Sequence, residues 1–281
     1  MSITRRSLLQ SAAAAGIGSR LWGGTQTHQF KVVDYHVHLG NGFTLNDAWA
    51  LAKKLDVKFG IAEHAGAPDS FYPSMISNDD KLNAWIDFLE NKPVYKGVQA
   101  EGLDWWKQFS KELVIRLDYA LGDAMTFPER DGQRVRLWMK NEVHISDPQD
   151  FMNRYTAFNV ELLDKSPLDI FAHPTYLPDA LQKDFDALWT PARMTKVIDA
   201  AKRAGVAIEI DGEFRLPRPP FMEMAKKAGL KFSLGANVRP DSTAALDYCV
   251  EFAGRFGLKQ QDMFLPAPQD KKPLLRRGFR S

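Results

Sequence analysis

Two histidines separated by one residue follow the first strongly apolar segment of the chain. The segment reads VVDYHVHLG over residues 32–40 and places His36 and His38 where a strand would end. Because alternate side chains of a strand point to the same face, both imidazoles would lie on one side of a sheet. Imidazole is a common ligand of transition metals, so the pair predicts a metal site. A half-buried strand whose histidines merely face water is the alternative.

The same placement recurs at the ends of later apolar segments. His64 ends GIAEH, Glu101 follows GVQA, His173 lies in FAHP, and Asn237 closes SLGAN. In a barrel of parallel strands, the carboxyl ends converge on the face that carries the chemistry. Four of the six histidines would then meet at one rim. Imidazole and carboxylate ligands that converge in a cleft suit Zn, Mn or Fe.

Strand-like and helix-like segments alternate from residue 30 onward, which predicts βαβ units and a parallel sheet. Thr44 is a predicted N-cap, DWWKQFSKEL is predicted to be one helix, and residues 123–146 are predicted to form an irregular excursion. Seven strands favour a closed or nearly closed barrel. The predicted strands are FKVVD, VKFGIAEH, VYKGVQAEG, VIRLDYALGD, LDIFAHP, VAIEID and LKFSLGAN.

The composition is that of a globular protein with enough apolar material for one large core. Of the 281 residues, 44% are hydrophobic and 26% are charged, and the formal net charge is +2. Basic residues concentrate only in the closing KKPLLRRGFRS, which is typical of a solvated end, so we expect no nucleic-acid partner. The single Cys249 excludes an internal disulfide framework and a multi-cysteine zinc site.

The N-terminal MSITRRSLLQSAAAAGIGS has the layout of an export signal. Arg5 and Arg6 precede an apolar, alanine-rich stretch, as in a twin-arginine signal. That stretch is too short to span a bilayer as a stable helix, so we expect no stable membrane anchor. We predict a signal peptide over residues 1–29, a single domain over residues 30–281, and an exported, periplasmic or extracellular protein. A start that is never cleaved is the alternative.

Taken in order, the strand-end elements resemble those of the polymerase and histidinol phosphatase (PHP) family. The chain has DxHxH, E-H, E-G, F-A-H-P and S-L-G-x-N. The family has a leading HxH, a T-D-H-like element, a G-x-E element, an x-x-H-P element and a closing G-S-D-A-H. The resemblance covers residues 32–265. It implies a distorted (β/α)7 TIM-like barrel in one domain, several metal ions and the hydrolysis of phosphate esters.

The resemblance also implies roles for individual residues. His36 and His38 correspond to ligands of a first metal, and Glu101 corresponds to the carboxylate that bridges to a neighbouring ion. His173 corresponds to a ligand of that neighbour, and His64 to a ligand of a third position.

The chain departs from the family pattern at three places, and one of them is NGFTLND after HxH, where no third histidine follows. The closing Asp-x-His is Asn237-Val238-Arg239 here, so a neutral amide replaces an anionic ligand and a non-coordinating cation replaces a histidine. Met125 stands where the family usually has a histidine, and its thioether is a poor ligand for Zn or Mn. We therefore expect one or two divalent ions (Zn, Mn or Fe), with Asn237 as an additional ligand. Arg239 is a candidate for holding an anionic group.

Three carboxylates near strand ends are candidates for proton transfer or for ion pairs at the rim. Glu63 lies beside His64, and Asp211 and Glu213 lie in IEIDGEF. Exposed acids more often form surface ion pairs, so both interpretations stay open. His144, in the irregular excursion, is either a replacement ligand or a loop histidine in water.

The leading hypothesis is a metal-dependent phosphoesterase that acts on a small phosphorylated or otherwise anionic molecule. Its alternatives are a non-catalytic PHP-like domain that binds a ligand, and a metal-dependent hydrolase or lyase of non-phosphate substrates such as sugars. A small molecule is the expected partner in each case. The sequence leaves the substrate, the metal and the oligomeric state open.

Overall fold

The fold was analysed in a computed structural model of the chain. The predicted signal segment lies outside the residues that the structure describes, except for Gln29, and Arg239 also lies outside them. The signal peptide therefore stays a prediction. The described residues are 29–68, 72, 74–237, 244–273, 275, 278 and 279.

Ten strands occur in the described part of the chain, and eight of them form one sheet. The strands are β1 (Val33–Val37), β2 (Lys58–Ile61), β3 (His64–Gly66), β4 (Tyr95–Glu101), β5 (Tyr119–Gly122), β6 (Thr126–Pro128), β7 (Arg134–Arg136), β8 (Ile170–Phe171), β9 (Ala207–Asp211) and β10 (Phe232–Gly235).

The large sheet closes on itself. Its order is β2-β1-β10-β9-β8-β5-β4, and β4 pairs again with β2, so seven parallel strands form a ring. β3 follows β2 along the same edge of β4: β2 pairs with the amino-terminal part of β4, and β3 pairs with its carboxyl-terminal part, Gln99–Glu101. This ring confirms the predicted (β/α)7 barrel. The carboxyl ends of all seven strands consequently lie at the same rim of the barrel.

Helices cover the outside of the barrel, and none of those described is long and apolar enough to cross a membrane. Thr44 caps α1 as predicted, because its side chain accepts the Asp47 N–H while the Asp47 carboxylate accepts the Thr44 N–H. The helices are α1 (Leu45–Leu55), α2 (Asp79–Leu89), α3 (Lys111–Val114), α4 (Pro148–Lys165), α5 (Phe185–Leu188), α6 (Pro191–Ala204), α7 (Pro219–Lys227) and α8 (Ala244–Arg255).

VKFGIAEH is not one strand but β2 and β3, with His64 at the start of β3 rather than at a strand end. Two further segments differ from the elements predicted for them. DWWKQFSKEL is not one helix: a 3₁₀ turn at Trp105–Gln108 is separated from α3 because the Ser110 N–H donates to Asp79 on α2. The excursion at residues 123–146 is more regular than predicted, since β6 and β7 form an antiparallel hairpin outside the barrel. This hairpin carries Trp138 toward the carboxyl-end rim.

The barrel interior is filled below the rim by a small apolar layer. The Tyr119 ring crosses this layer, and its hydroxyl donates to the backbone oxygen of Tyr35 at 2.7 Å. Gly60 and Gly97 leave the space that the ring occupies. The layer consists of Tyr35, Ala62, Tyr119, Leu121, Ile170, Ala172 and Ala207.

The chain after α8 covers the opposite, amino-terminal end of the barrel. The Phe264 N–H donates to the Phe232 oxygen at 2.7 Å, so this segment lies alongside the start of β10. The Phe264 ring meets Tyr35 edge to face at 5.1 Å, and Tyr35 also stacks on Tyr95. With this end covered, the rim formed by the carboxyl ends is the open end of the barrel interior.

We expect Gly97→Ala to destabilise the protein by about 1–3 kcal/mol, because the added methyl group would overlap the Tyr119 ring inside a packed layer. Urea unfolding measures the change. Gly254→Ala is the matched control: this glycine lies exposed on α8 with open space around it, so alanine should stabilise the helix by about 1 kcal/mol. Equal stability of the two variants would contradict this account of the interior.

Candidate metal centre

One cavity of about 580 Å³ opens at the carboxyl-end rim. Every strand of the ring contributes to its surroundings, directly or through the loop that follows. The residues that line it are His36, His38, Leu39, Gly40, Asn41, Phe43, Glu63, His64, Tyr72, Ser74, Gln99, Asp123, Met125, Trp138, His173, Glu213, Phe214 and Asn237.

Four imidazoles form a continuous row across this cavity. The ring centroids of His173 and His36 are 4.9 Å apart, those of His36 and His38 are 5.2 Å apart, and those of His38 and His64 are 5.1 Å apart. These spacings bring residues from three separate parts of the chain within reach of shared ions.

A register shift in β1 orients His36 and His38 toward the cavity. The β1–β2 pairing is irregular between Asp34 and Val37. The buried Asp34 carboxylate fills the irregularity, since Oδ1 accepts the N–H groups of His36 (3.0 Å) and Ala236 (3.1 Å). Burial raises the pKa of Asp34 to about 7. As a result, Tyr35 faces the interior layer and the adjacent His36 still faces the cavity.

Three of the four imidazoles are held from behind by carboxylates. Nδ1 of His36 lies 2.7 Å from Glu209, and Nδ1 of His64 lies 2.8 Å from Glu101. For the third imidazole, His173, Nδ1 lies 2.6 Å from Asp211. None of these three carboxylates lines the cavity. A carboxylate on Nδ1 fixes ring orientation and tautomer and leaves Nε2 for a ligand, as in many metal proteins.

Glu209 joins two of these histidines. While Oε1 bonds His36, Oε2 accepts the backbone N–H of His173 at 2.8 Å. His173 has φ of +46°, a left-handed conformation that costs energy for a residue with a Cβ. The hydrogen bond that the His173 N–H donates to Glu209 therefore holds a strained backbone in place. Gly235 makes room for this carboxylate, because a Cβ there would overlap its oxygen.

The same contacts set the charge of the histidines. Burial alone would lower the pKa of His36, but Glu209 outweighs it and raises that pKa. For His173, burial is likewise outweighed, chiefly by Asp211, and the pKa rises to about 10. For His38, burial and the neighbouring imidazoles act in the same direction and lower the pKa well below its usual range. His38 is thus neutral, the form that binds a metal.

Amide side chains occupy two positions among the candidate ligands. Gln99 Oε1 lies 3.2 Å from His36 Nε2, and Gln99 Nε2 donates to Asp123 Oδ2 at 2.8 Å. Asn237, at φ of +48°, donates its amide to Glu213 at the rim. These amides supply neutral oxygen atoms beside the imidazoles.

The donor set fits a divalent transition metal. His38, Glu63 and His64 bring potential ligand atoms within 4.8 Å of one another at the cavity surface, and His36, His173 and Glu209 do so in the interior. In the interior group the Nδ1 atoms of His36 and His173 already contact carboxylates, so Nε2 is the atom left for a metal. For His36, this Nε2 atom would exchange its contact with Gln99 Oε1 for the ion. Nitrogen-rich sites with few carboxylates suit ions such as Zn²⁺.

The structure brings most of the sequence-predicted site residues together. His36, His38, His64, His173, Asn237 and Glu63 all line the cavity. Glu101 and Asp211 instead lie behind histidines, and both Asp211 oxygens are engaged: Oδ2 bonds His173, and Oδ1 accepts the N–H groups of Glu213 and Phe214.

Two other residues considered from sequence lie apart. His144 is exposed and outside the cavity lining, whereas Met125 lines the cavity.

Sequence reasoning missed Gln99, Asp123 and Glu209. Strand alternation was the available signal for two of them, since Gln99 shares a face with Glu101, and Glu209 shares one with Asp211. Asp123 directly follows β5, so the rule that used strand ends would also have found it.

The fold and the position of the cavity define a class: a closed seven-stranded (β/α) barrel with candidate metal ligands at the carboxyl ends of its strands. Among solved structures, it is similar to the crystal structure of histidinol phosphate phosphatase from Lactococcus lactis subsp. lactis Il1403, complexed with zinc, L-histidinol and phosphate. The TM-score is 0.54 at 14% sequence identity, over 85% of this chain and 98% of that chain. No family model and no curated protein matches this chain.

Proposed function

We propose that this protein is a metal-dependent phosphoesterase that hydrolyses a small phosphorylated or otherwise anionic molecule. The observation that carries the proposal is the row of four imidazoles in one cavity, three of them oriented by a carboxylate on Nδ1. The similar barrel of the zinc- and phosphate-bound histidinol phosphate phosphatase supports it.

The residues proposed to hold the metal are the four histidines of the row, with Asp123 and Asn237 as oxygen donors. One or two ions of Zn, Mn or Fe would fit this set. When bound, such an ion supplies Lewis acidity toward a phosphoryl oxygen.

The remaining roles follow from the contacts of each side chain. Glu63 Oε1 accepts the N–H of His64 at 2.9 Å, so Oε2 is the oxygen proposed to accept a proton from the attacking water. Glu101, Glu209 and Asp211 are positioning residues, since each acts through a histidine. Arg239, whose predicted role was to hold an anionic group, keeps that role as a proposal.

Metal analysis combined with a phosphoester panel tests the proposal. Protein purified without a chelating tag should contain stoichiometric Zn, Mn or Fe and release phosphate from at least one ester. The His36→Ala, His38→Ala double variant should lose both properties, whereas His144→Ala, at an exposed histidine outside the cavity, should keep them.

Two outcomes would favour the alternatives. Protein that stays metal-free after supplementation, yet is stabilised by a ligand in a thermal shift assay, would indicate a binding domain. Metal-loaded protein that turns over only non-phosphate substrates would indicate a different hydrolase or lyase.

We also propose that residues 1–29 export the protein. A reporter fused behind residues 1–30 should reach the periplasm or medium, and replacing Arg5 and Arg6 by lysine should reduce its export strongly. A reporter that remains in the cytoplasm with the native sequence would contradict this proposal.

A further inference from the structure

A second cavity lies on the outside of the barrel, between residues 153–160 of α4 and residues 193–203 of α6. Its volume is about 460 Å³, and it shares no lining residue with the cavity at the rim. Near the start of both helices Arg193 donates to Asn153, and near their ends Arg203 donates to Asp164. The two helices therefore run side by side in the same direction, and this cavity, the α4–α6 groove, follows the line between them.

Positive charge dominates the α6 side of the groove. The charged residues that line it are Arg193, Lys196, Asp199 and Arg203. Their spacings of three, three and four residues place them on one face of the helix. Arg203 donates to both oxygens of Asp164 at 3.0 Å, so its charge is matched. The unmatched positive charge lies at the other end, since neither Arg193 nor Lys196 forms an ion pair in the described part of the chain.

Neutral oxygen atoms hold Arg193 in place. Its Nη1 donates to the backbone oxygen of Leu188 at 2.8 Å, and its Nη2 donates to Gln149 Oε1 and Asn153 Oδ1, both at 2.9 Å. A guanidinium group has five N–H groups, so two of them are left over by these contacts. This half-buried cation is thus fixed in position while it keeps its charge and two donors for an anion. Lys196 follows one turn later and is exposed.

The most buried residue of the groove lining carries a hydroxyl group without a partner. Thr156 is 2% exposed, and its Oγ1 makes no hydrogen bond within the described residues. A buried hydroxyl that lacks a partner costs free energy. Threonine in a helix adopts two rotamers, so a rotation about χ1 turns Oγ1 toward the groove. An oxygen atom of a ligand would then supply the missing partner.

The remaining wall of the groove is small and apolar. Ala157 is exposed and Val160 is half-buried, and together they form a strip along α4. The volume of the groove lies in the range of sites for small organic molecules, well above that of a bare phosphate ion. An apolar group laid on this strip would remove apolar surface from water, which stabilises a complex.

From these contacts we propose that the α4–α6 groove binds a small organic phosphate or phosphonate. The anionic group lies between Arg193 and Lys196 with an oxygen toward Thr156, and the apolar part lies along Ala157 and Val160. A group with three oxygen atoms suits this pair, because a guanidinium and an ammonium together donate several charge-assisted hydrogen bonds to it. The site is separate from the proposed phosphoesterase centre and does not depend on that proposal.

Titration calorimetry with hexylphosphonate tests the proposal, because the P–C bond of this probe is not a phosphate ester bond. The titration is carried out at about 0.15 M salt, which screens diffuse attraction between exposed charges. We expect saturable binding that is about tenfold tighter than that of inorganic phosphate, since part of the hexyl chain is buried. Equal affinities for the two probes, or no saturable binding of hexylphosphonate, would overturn the proposal.

Two substitutions at exposed positions of the groove should weaken this binding without disturbing the fold. Ala157→Glu brings a carboxylate beside the bound anion and should lower the affinity by about tenfold or more. Lys196→Met removes one cation and should lower it by about two- to fivefold. Lys202→Met is the matched control, because this exposed lysine of α6 lies outside the groove and the charge lost is the same. An equal loss in Lys196→Met and Lys202→Met would show diffuse attraction and reject the site.

The His36→Ala, His38→Ala double variant separates this site from the cavity at the rim. Hexylphosphonate binding that persists in the double variant and is lost in Ala157→Glu would support the groove as the site. Binding that is lost in the double variant and persists in Ala157→Glu would overturn the proposal, since the probe would then occupy the rim cavity. Neither result bears on phosphoester turnover, so the two proposals fail independently.

Discussion

Gly235→Ala should disable the metal centre although this glycine does not line the cavity. The added methyl group would overlap the Oε1 atom of Glu209 and displace the carboxylate that bonds His36 and the backbone of His173. Losing a partner that orients a ligand typically costs about 10–100-fold in metal affinity. Displacing a buried, paired carboxylate also costs about 3–5 kcal/mol of stability.

Competition with a chelator measures the affinity, and urea unfolding of metal-free protein measures the stability. A second substitution distinguishes displacement of Glu209 from a general packing defect. In the Gly235→Ala background, Glu209→Ala removes the overlapping atoms, so part of the stability should return while metal affinity stays low. Additive losses in the double variant, or normal metal affinity in Gly235→Ala, would contradict the role assigned to Glu209.

Metal-free protein should lose stability as the pH rises from neutral to alkaline, and Asp211→Asn should remove much of this dependence. Asp211 raises the pKa of His173 to about 10 in the folded protein, against an ordinary value of 6.5. A raised folded-state pKa stabilises the fold fully below pH 6.5, and the contribution disappears as the pH passes through about 10. Its size is of the order of a few kcal/mol, since one pKa unit corresponds to about 1.4 kcal/mol.

Unfolding by urea in the presence of a chelator, at several values between pH 6 and pH 10, measures this dependence. An asparagine at position 211 can still accept the Nδ1 proton of His173 but carries no charge, so the slope should flatten. Asp104→Asn is the control, because this aspartate is 66% exposed in a surface pair with Lys107 and should leave the slope unchanged. Parallel curves for Asp211→Asn and the native protein would show that the pair does not govern the dependence.

The barrel was predictable because its signals are local. Each strand is a short apolar segment between helical patterns, and the N-cap at Thr44 depends on residues three apart in sequence. The prediction of one helix over DWWKQFSKEL was wrong for a tertiary reason. The Ser110 N–H donates to Asp79, 31 residues earlier, and this hydrogen bond ends the first turn where local helix propensity would continue it.

The candidate site was predictable in composition and less so in arrangement. Strand-end histidines were found because parallel strands bring their carboxyl ends together. Whether Gln99 or Glu101 faces the cavity could not be read from VQAEG, since both lie on the same face of β4. Only the tertiary structure decides this: the His64 ring reaches Glu101 at 2.8 Å although His64 pairs with Gln99 in the β3–β4 register, and Gln99 lies 3.2 Å from His36.

The sequence by itself determined the alternating elements, the strand ends that carry imidazoles, and the amide at Asn237, because these depend on residue type and local order. The tertiary structure alone decided which carboxylate stands behind which histidine and which rings surround the cavity. Those relations join residues far apart in the chain, as in the 173-residue separation of His36 and Glu209. They depend on strand register and on the space that Gly235 leaves, which no local pattern encodes.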